Sequence, residues 1–478
     1  MCFYMLQPEA SLLRFATGRA TAVLDCSMIA NGMGFCRLGS VLPFDMVEFA
    51  KLGVTAGQMP AILFREDRAL EPKRVLETRA HESVLPIYRR KDPIVDFSLT
   101  EGQRKLVEAF RTFGEERFKP ELVHQWRRDQ GLPDEVVKGF VDLYFGLEDL
   151  ADGDGPGAFS LCSQALIIEE LSRCSGATLP FQIDLFNLAL MGEFAAQSEF
   201  DAIVDDYRKT GRLMFALAIS EPEAGSDSMN MQTYNRTVDG RLILNGCKTF
   251  VNNGEYAPYI LVAAIDRDAE GSDKYPALTF WLVPRDLKGI RAYPVNKIGQ
   301  SMLPFSTVVF ENVELQPEYR LTGRHAGFRQ LFRMLEFGRV TTCAGSLGMA
   351  RAAMEDAVKH ARSRKAFGVQ IGRFQQIEQM LVDMEVSIYN MRSMLYRACL
   401  AVDNGEDDER LSVALMKRYV PAAATDVASS AMQILGGMGY TEHARVSQIW
   451  QDCRGNQIAE GTDQIMVYIA APLVLDKY

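Results

Sequence analysis

Apolar residues recur at three- and four-residue spacing through EGQRKLVEAFRTFGEERF (101–118) and FSLCSQALIIEELSRC (159–174), which predicts helices from residue 95 to about 215. Ser98 or Thr100 can cap the first of them. DGDGPG (152–157) reads as a loop between the two. From about 216 to 323 the pattern changes. RLILNGCKTFV, YILVAAID, ALTFWLVP and STVVFENVEL are rich in Val, Ile, Leu, Phe and Thr and read as strands, punctuated by Asp239-Gly240 and Asn245-Gly246. From about 324 the helical period returns in four long stretches that begin near residues 328, 375, 411 and 462. Pro421 lies inside the third and is expected to kink it or break it at Val420. Four successive long helices predict an antiparallel four-helix bundle. The expected fold class is thus multidomain α+β: an N-terminal helical domain (95–215), a middle β-barrel-like domain (216–323) and a C-terminal bundle (324–478).

Residues 1–94 read differently. The opening has no basic segment followed by a clean apolar core and is a poor secretory signal. Residues 65–94 are charged, lack an apolar stripe and read as a linker or extension. VDFSLT (95–100) looks like a fresh start, so the functional polypeptide is expected to begin near Val95. An intact mass matching all 478 residues would remove that expectation.

Composition excludes more than it assigns. The net charge of −10 argues against a whole-molecule grip on nucleic acid or on an anionic membrane. No apolar run reaches the roughly 18 residues of a spanning helix. The nine cysteines are scattered without a CxxC pair and the five histidines are dispersed, so no metal site is expected and a reducing, cytoplasmic setting fits.

Five constellations could carry chemistry. In LAISEPEAGSD, a strand-like run ends at Ser220 and a Pro222/Gly225 turn exposes backbone N–H groups and Ser226 to a flat or anionic ligand; a plain capped turn reads equally well. In CKTFVNNG, Phe250 could wall a planar ring and Asn252 could bond its edge; an ordinary strand end is the competing reading. RSRKAFG (362–368) with FQQI (374–377) could hold a pyrophosphate and an adenine, or merely offset a helix dipole. QILGGMGY (433–440) allows close backbone approach to a ligand and also makes an ordinary helix stop. In IAEGTDQI, Glu460 could complement a helix N-terminus, or serve as a general base in a water-poor cleft that raises its pKa.

Together and in this order, the motifs EPEAGSD, RKAFG–QQI, QILGGMGY and AEGTDQI resemble the acyl-CoA dehydrogenase family of FAD flavoenzymes over about residues 95–478. The run TEHARVSQIWQDCRG with GTDQIMVYIA looks most like a bacterial branch that includes carnitine-related enzymes. The resemblance implies oxidation of a thioester between its α and β carbons: a glutamate removes the α-proton and the β-hydrogen passes as hydride to the flavin. Glu460 matches that base, with its own N–H and a ribityl hydroxyl on the thioester carbonyl. Leu217, Ile219 and Ser220 match flavin contacts, and Ser226 a phosphate or CoA contact. Phe250 stands where the family carries tryptophan, and Asn252 where it carries threonine or serine. Arg364, Phe367, Gln375, Gln433, Gly436 and Gly437 match residues that hold the FAD pyrophosphate and adenine, several from a neighbouring subunit, which implies a homo-oligomer, a dimer or dimer of dimers. Thr462 and Gln464 match cofactor contacts after the base. Glu336, Arg339 and Gly461 match substrate-side positions; an ion pair inside the bundle is the other reading of Arg339. Some relatives carry their base on that helix, at the place of Gly338, which cannot serve. Ser301, Ala471-Pro472 and the 152–157 loop depart from the family pattern and bear on substrate shape.

The resemblance further implies an acyl-CoA substrate, with a lean to short or modified acyl groups, and an electron-transfer flavoprotein as acceptor. The alternatives are an enoyl-CoA reductase, an oxygen-using oxidase, a non-enzymatic homologue that has lost FAD, against which stand Arg364, Gln375 and Gln433, and a flavin-binding relative with a nucleic-acid-binding role. Against the last stand the acidic balance and Glu460.

Overall fold

The computed structural model describes residues 12–17, 20–25, 98–153, 159–271, 276–321 and 327–478. The chain divides into two units, Met1–Ile94 and Val95–Tyr478. In the first, strands β1 (Leu12–Thr17) and β2 (Ala20–Asp25) pair antiparallel. The 65–94 linker reading, and most of the 152–157 loop, lie outside the described residues.

The second unit opens with six helices: α1 (Glu101–Arg117), α2 (Pro120–Asp129), α3 (Asp134–Gly146), α4 (Leu161–Ser175), α5 (Phe181–Phe194) and α6 (Gln197–Thr210). Thr100 starts α1 with a reciprocal capping box: its hydroxyl accepts from the Gln103 N–H, and the Gln103 side chain accepts from the Thr100 N–H. α4 and α5 are buried along nearly their whole lengths; α5 is apolar almost all round, whereas α4 also buries polar residues such as Glu169 and Glu170.

Seven strands follow in one sheet: β3 (Phe215–Ala218), β4 (Tyr234–Val238), β5 (Arg241–Asn252), β6 (Tyr259–Asp266), β7 (Leu278–Pro284), β8 (Ile290–Val295) and β9 (Phe305–Leu315). The order is β3-β6-β4-β5-β9-β8, with β7 on β6. β3 also pairs β5, so β3, β6, β4 and β5 close a circuit. Asp239 and Gly240, both at positive φ, make the expected two-residue turn between β4 and β5. Asn245-Gly246 is not a turn. It sits inside β5 at a register shift against β9, where Asn245 accepts from the Asn312 N–H.

The C-terminal region holds α7 (Gly327–Ser363), the short strands β10 (Lys365–Ala366) and β11 (Val369–Gln370), α8 (Gln375–Asp403), α9 (Glu409–Leu435), α10 (Arg445–Asn456) and α11 (Asp463–Lys477). The four expected long helices are joined by a fifth, α10. Pro421 does not break the third: α9 runs through it as one helix. The proline costs one backbone bond, its side chain and that of Val420 are buried, and the Thr425 hydroxyl donates to the Pro421 carbonyl.

Asp452, on α10, joins all three regions. Its carboxylate accepts from the buried Arg127 on α2, from the Thr178 N–H ahead of α5 and from the Gln300 N–H in the loop between β8 and β9. The Gln300 side chain donates in turn to the Asp452 carbonyl and to Asn456, and Asn456 donates to Ser346 on α7. Asp452→Ala leaves the Arg127 guanidinium buried without its carboxylate. It should lower the unfolding free energy by about 3–5 kcal/mol, read by urea denaturation followed by circular dichroism. A loss under about 1 kcal/mol would show that the hub adds nothing to stability.

Candidate active site

The two candidate motifs of the β domain meet through strand pairing. Leu217 on β3 lies opposite Asn252 on β5, and the Thr249 N–H donates to the Ser220 carbonyl at 2.8 Å. Ile219 and Ser220 are thereby placed beside the Thr249–Asn252 end of β5. A buried ion pair fixes the loop. Lys248, fully buried, donates to the Ile219 carbonyl and to the Glu221 carboxylate, both at 2.8 Å. Burial pushes the Glu221 pKa up, but Lys248 and the N–H donors of Gln232 and Thr233 more than reverse this, and the carboxyl lies below its usual range. Phe250 has a left-handed backbone (φ 56°) and a ring 58% exposed, beside the Phe305 ring. Asn252 Oδ1 is buried with no hydrogen-bond partner. An aromatic wall beside an unsatisfied amide oxygen fits a planar, hydrogen-bonding ligand such as a flavin ring. Ser226 is exposed on the turn that follows.

Glu460 sits in the turn between α10 and α11, also left-handed (φ 55°). Its carboxyl lies against α7 at Gly338: a Cβ there would come within 2.7 Å of Oε2. The carboxyl makes no hydrogen bond among the described residues. Burial raises its pKa, and the charges of Arg339 on α7 and Lys417 on α9 pull the other way. Arg339, buried, donates through Nε to the Glu460 carbonyl at 3.1 Å. It makes no ion pair among the described residues, so the intra-bundle pairing is not what the structure shows. Lys417 donates to the Gly461 carbonyl at 3.1 Å. The Glu460 N–H has no partner among the described residues. Thr462 caps α11 by accepting from the Ile465 N–H. Glu336, one turn before Arg339, is half-buried; burial and the neighbouring Glu409 raise its pKa.

The remaining candidates lie on the surface. Arg364, Gln375, Gln433, Gly436, Gly437 and Gln464 are exposed, and Phe367 is 96% exposed, touching only the Phe374 ring among aromatic partners. Lys248 and Lys417 were not legible as functional, because lysine ordinarily marks a solvated face. For Lys417 a signal existed: Val413, Ala414, Met416 and Val420 are the buried stripe of α9, and position 417 falls within it. Among the described residues no group of three or more His, Cys, Asp or Glu side chains could hold a metal ion, and no helix is long and apolar enough to cross a membrane.

Three family models cover this unit: the acyl-CoA dehydrogenase N-terminal domain over residues 100–197, the middle domain over 216–313 and the C-terminal domain over 325–474. A probable acyl-CoA dehydrogenase of Escherichia coli K12, YdiO, is 33% identical over 80% of this chain and 99% of its own. The chain belongs to the acyl-CoA dehydrogenase family. It is therefore placed among oxidoreductases. Among solved structures of acyl-CoA dehydrogenases, that from Slackia heliotrinireducens is 52% identical with a TM-score of 0.71, covering 80% of this chain and 98% of that one. The butyryl-CoA dehydrogenase of Megasphaera elsdenii is 26% identical with a TM-score of 0.72, covering 80% of this chain and all of that one.

Because only the flexible end of Glu460 would meet a methyl group at Gly338, Gly338→Ala should fold normally, with a melting temperature within about 2 °C of wild type. The displaced carboxyl should lower kcat/KM on an acyl-CoA by about 10- to 100-fold. An unchanged kcat/KM would show that Glu460 does not work from this position.

Proposed function

We propose that the protein is an FAD-dependent acyl-CoA dehydrogenase that converts an acyl-CoA to its trans-2-enoyl-CoA, with Glu460 as the base. One observation carries this reading: a carboxyl whose pKa is raised by burial, with no hydrogen bond among the described residues, is held on a clamped left-handed turn whose N–H has no partner among them. A hydrogen-bonded carboxylate would be a poorer base, and an exposed one would have a lower pKa. Glu460 takes the α-proton, and its N–H donates to the thioester carbonyl as negative charge develops there. Gly461 keeps that N–H accessible, and Glu336 and Arg339 line the substrate side. Bound FAD supplies the hydride acceptor at the β-carbon. Leu217, Ile219, Ser220, Phe250 and Asn252 would hold its ring system, Ser226, Thr462 and Gln464 would make further contacts, and Arg364, Phe367, Gln375, Gln433, Gly436 and Gly437 would hold its pyrophosphate and adenine. The exposure of this last group supports a homo-oligomer, a dimer or dimer of dimers, in which a second copy covers it. The acceptor for the electrons is an electron-transfer flavoprotein and the setting cytoplasmic fatty acid metabolism; both extend the family reading.

The test is an anaerobic visible spectrum of purified protein titrated with acyl-CoAs of increasing length. Bleaching of a flavin band by one length class gives cofactor, direction and substrate together. Flavin bleached by none of them, but reoxidised by an enoyl-CoA after chemical reduction, would establish the reductase direction instead. Glu460→Gln should keep its flavin and bind acyl-CoA while bleaching about 100- to 10,000-fold more slowly. Protonated Glu460 cannot accept the α-proton. Activity should therefore fall as pH drops through its raised pKa, with an acid limb above the ordinary glutamate range. A limb at or below that range would remove Glu460 from the role.

A further inference from the structure

Two successive carbonyls of the base loop, those of Glu460 and Gly461, are each held by a buried cation from a different helix. The second cation is the less expected. Lys417 is fully buried between Met416 and Val420 on the inner face of α9, where a leucine would pack without desolvating a charge. Its single hydrogen bond among the described residues goes to the Gly461 carbonyl. The charged and titratable groups near it are Cys343 and Arg339 on α7, Asp463 at the start of α11, and Glu460 itself. Asp463 Oδ2 accepts from Gln457 and faces Arg418, while its Oδ1 is buried without a hydrogen bond among the described residues. Among the described residues the charges acting on Glu460 are those of Arg339 and Lys417, while Glu336 and Arg410 act on Arg339. Glu460 is left-handed although it is not glycine, a conformation that costs free energy unless its surroundings hold it.

We propose that Lys417 is a positioning residue for the base: its ammonium clamps the Gly461 carbonyl, holds Glu460 in its left-handed conformation and favours the ionised carboxylate. The proposal rests on Glu460 being the base. It predicts two separable effects, one of geometry and one of charge. Lys417→Met removes the donor and the charge; Lys417→Gln removes the charge and keeps an N–H donor.

Both variants are made in the full-length, flavin-loaded protein. Flavin content and melting temperature identify any variant that has failed to fold, in which case the other carries the test. The direct readout is the infrared carbonyl band of protonated Glu460, identified as the band missing from Glu460→Gln and followed against pH. It should titrate about one pH unit higher in both variants, since each loses a positive charge that favours the anion. The acid limb of kcat/KM should move with it. At neutral pH kcat should fall at least about tenfold with KM changed less than about threefold, and Lys417→Gln should recover more of kcat at high pH than Lys417→Met. A merely structural lysine would leave the band and the limb unmoved in folded variants, and that result overturns the proposal. If Glu460→Gln itself keeps wild-type turnover, the base assignment fails. If Glu460→Gln is inactive while the Lys417 variants titrate like wild type, only the role of Lys417 fails.

Discussion

One buried carboxylate holds the domain arrangement together. Asp452 takes donors from α2, from the segment ahead of α5 and from the loop between β8 and β9, while standing on a helix of the C-terminal region. A buried carboxylate with too few donors would be costly, so three stretches of chain distant in sequence must reach it together. The cost of leaving it unsatisfied makes their mutual placement sharp where apolar packing alone would tolerate sliding. Four residues along α10, Asn456 extends the same network onto α7, the helix against which Glu460 lies. Domain docking and the placement of the Glu460 loop are thus continuous through one helix.

The site uses the same device twice more on a smaller scale. Lys248 holds the carbonyl of Ile219 and so fixes the turn that follows β3. Arg339 and Lys417 hold the successive carbonyls of Glu460 and Gly461. In each case a buried cation grips main chain rather than a side chain alone. The grip sets backbone conformation directly, which suits loops whose N–H groups must face a ligand.

The sequence showed the domain order well because period changes mark it. β5, β6, β7 and β9 lie close to where their Val, Ile and Phe content placed them. β4 and β8 were missed. Tyr234–Val238 is polar, and Ile290–Val295 is an exposed edge strand interrupted by Pro294, so neither carries a strong apolar alternation. α10 was missed because its inner face holds Asp452 and Asn456 beside Val446 and Ile449, so its stripe is interrupted by the polar hub it serves. Glu460 was legible from its glycine-containing motif. Lys417 was not singled out, although its place in the apolar stripe of α9 marks it as the lysine that lies inside.

Little room separates α7 from the Glu460 loop: a Cβ at position 338 would come within 2.7 Å of the carboxyl. With glycine at 338 the carboxyl comes from the loop, and any side chain on that stretch of helix would compete for the same space. A lineage that moved this acid from loop to helix could not add the second before shrinking the first. An intermediate between the two arrangements would hold a small residue at both places, since two carboxyls there would be a crowded pair of like charges. Position 338 therefore constrains the order in which substitutions could accumulate, as well as the shape of the site today.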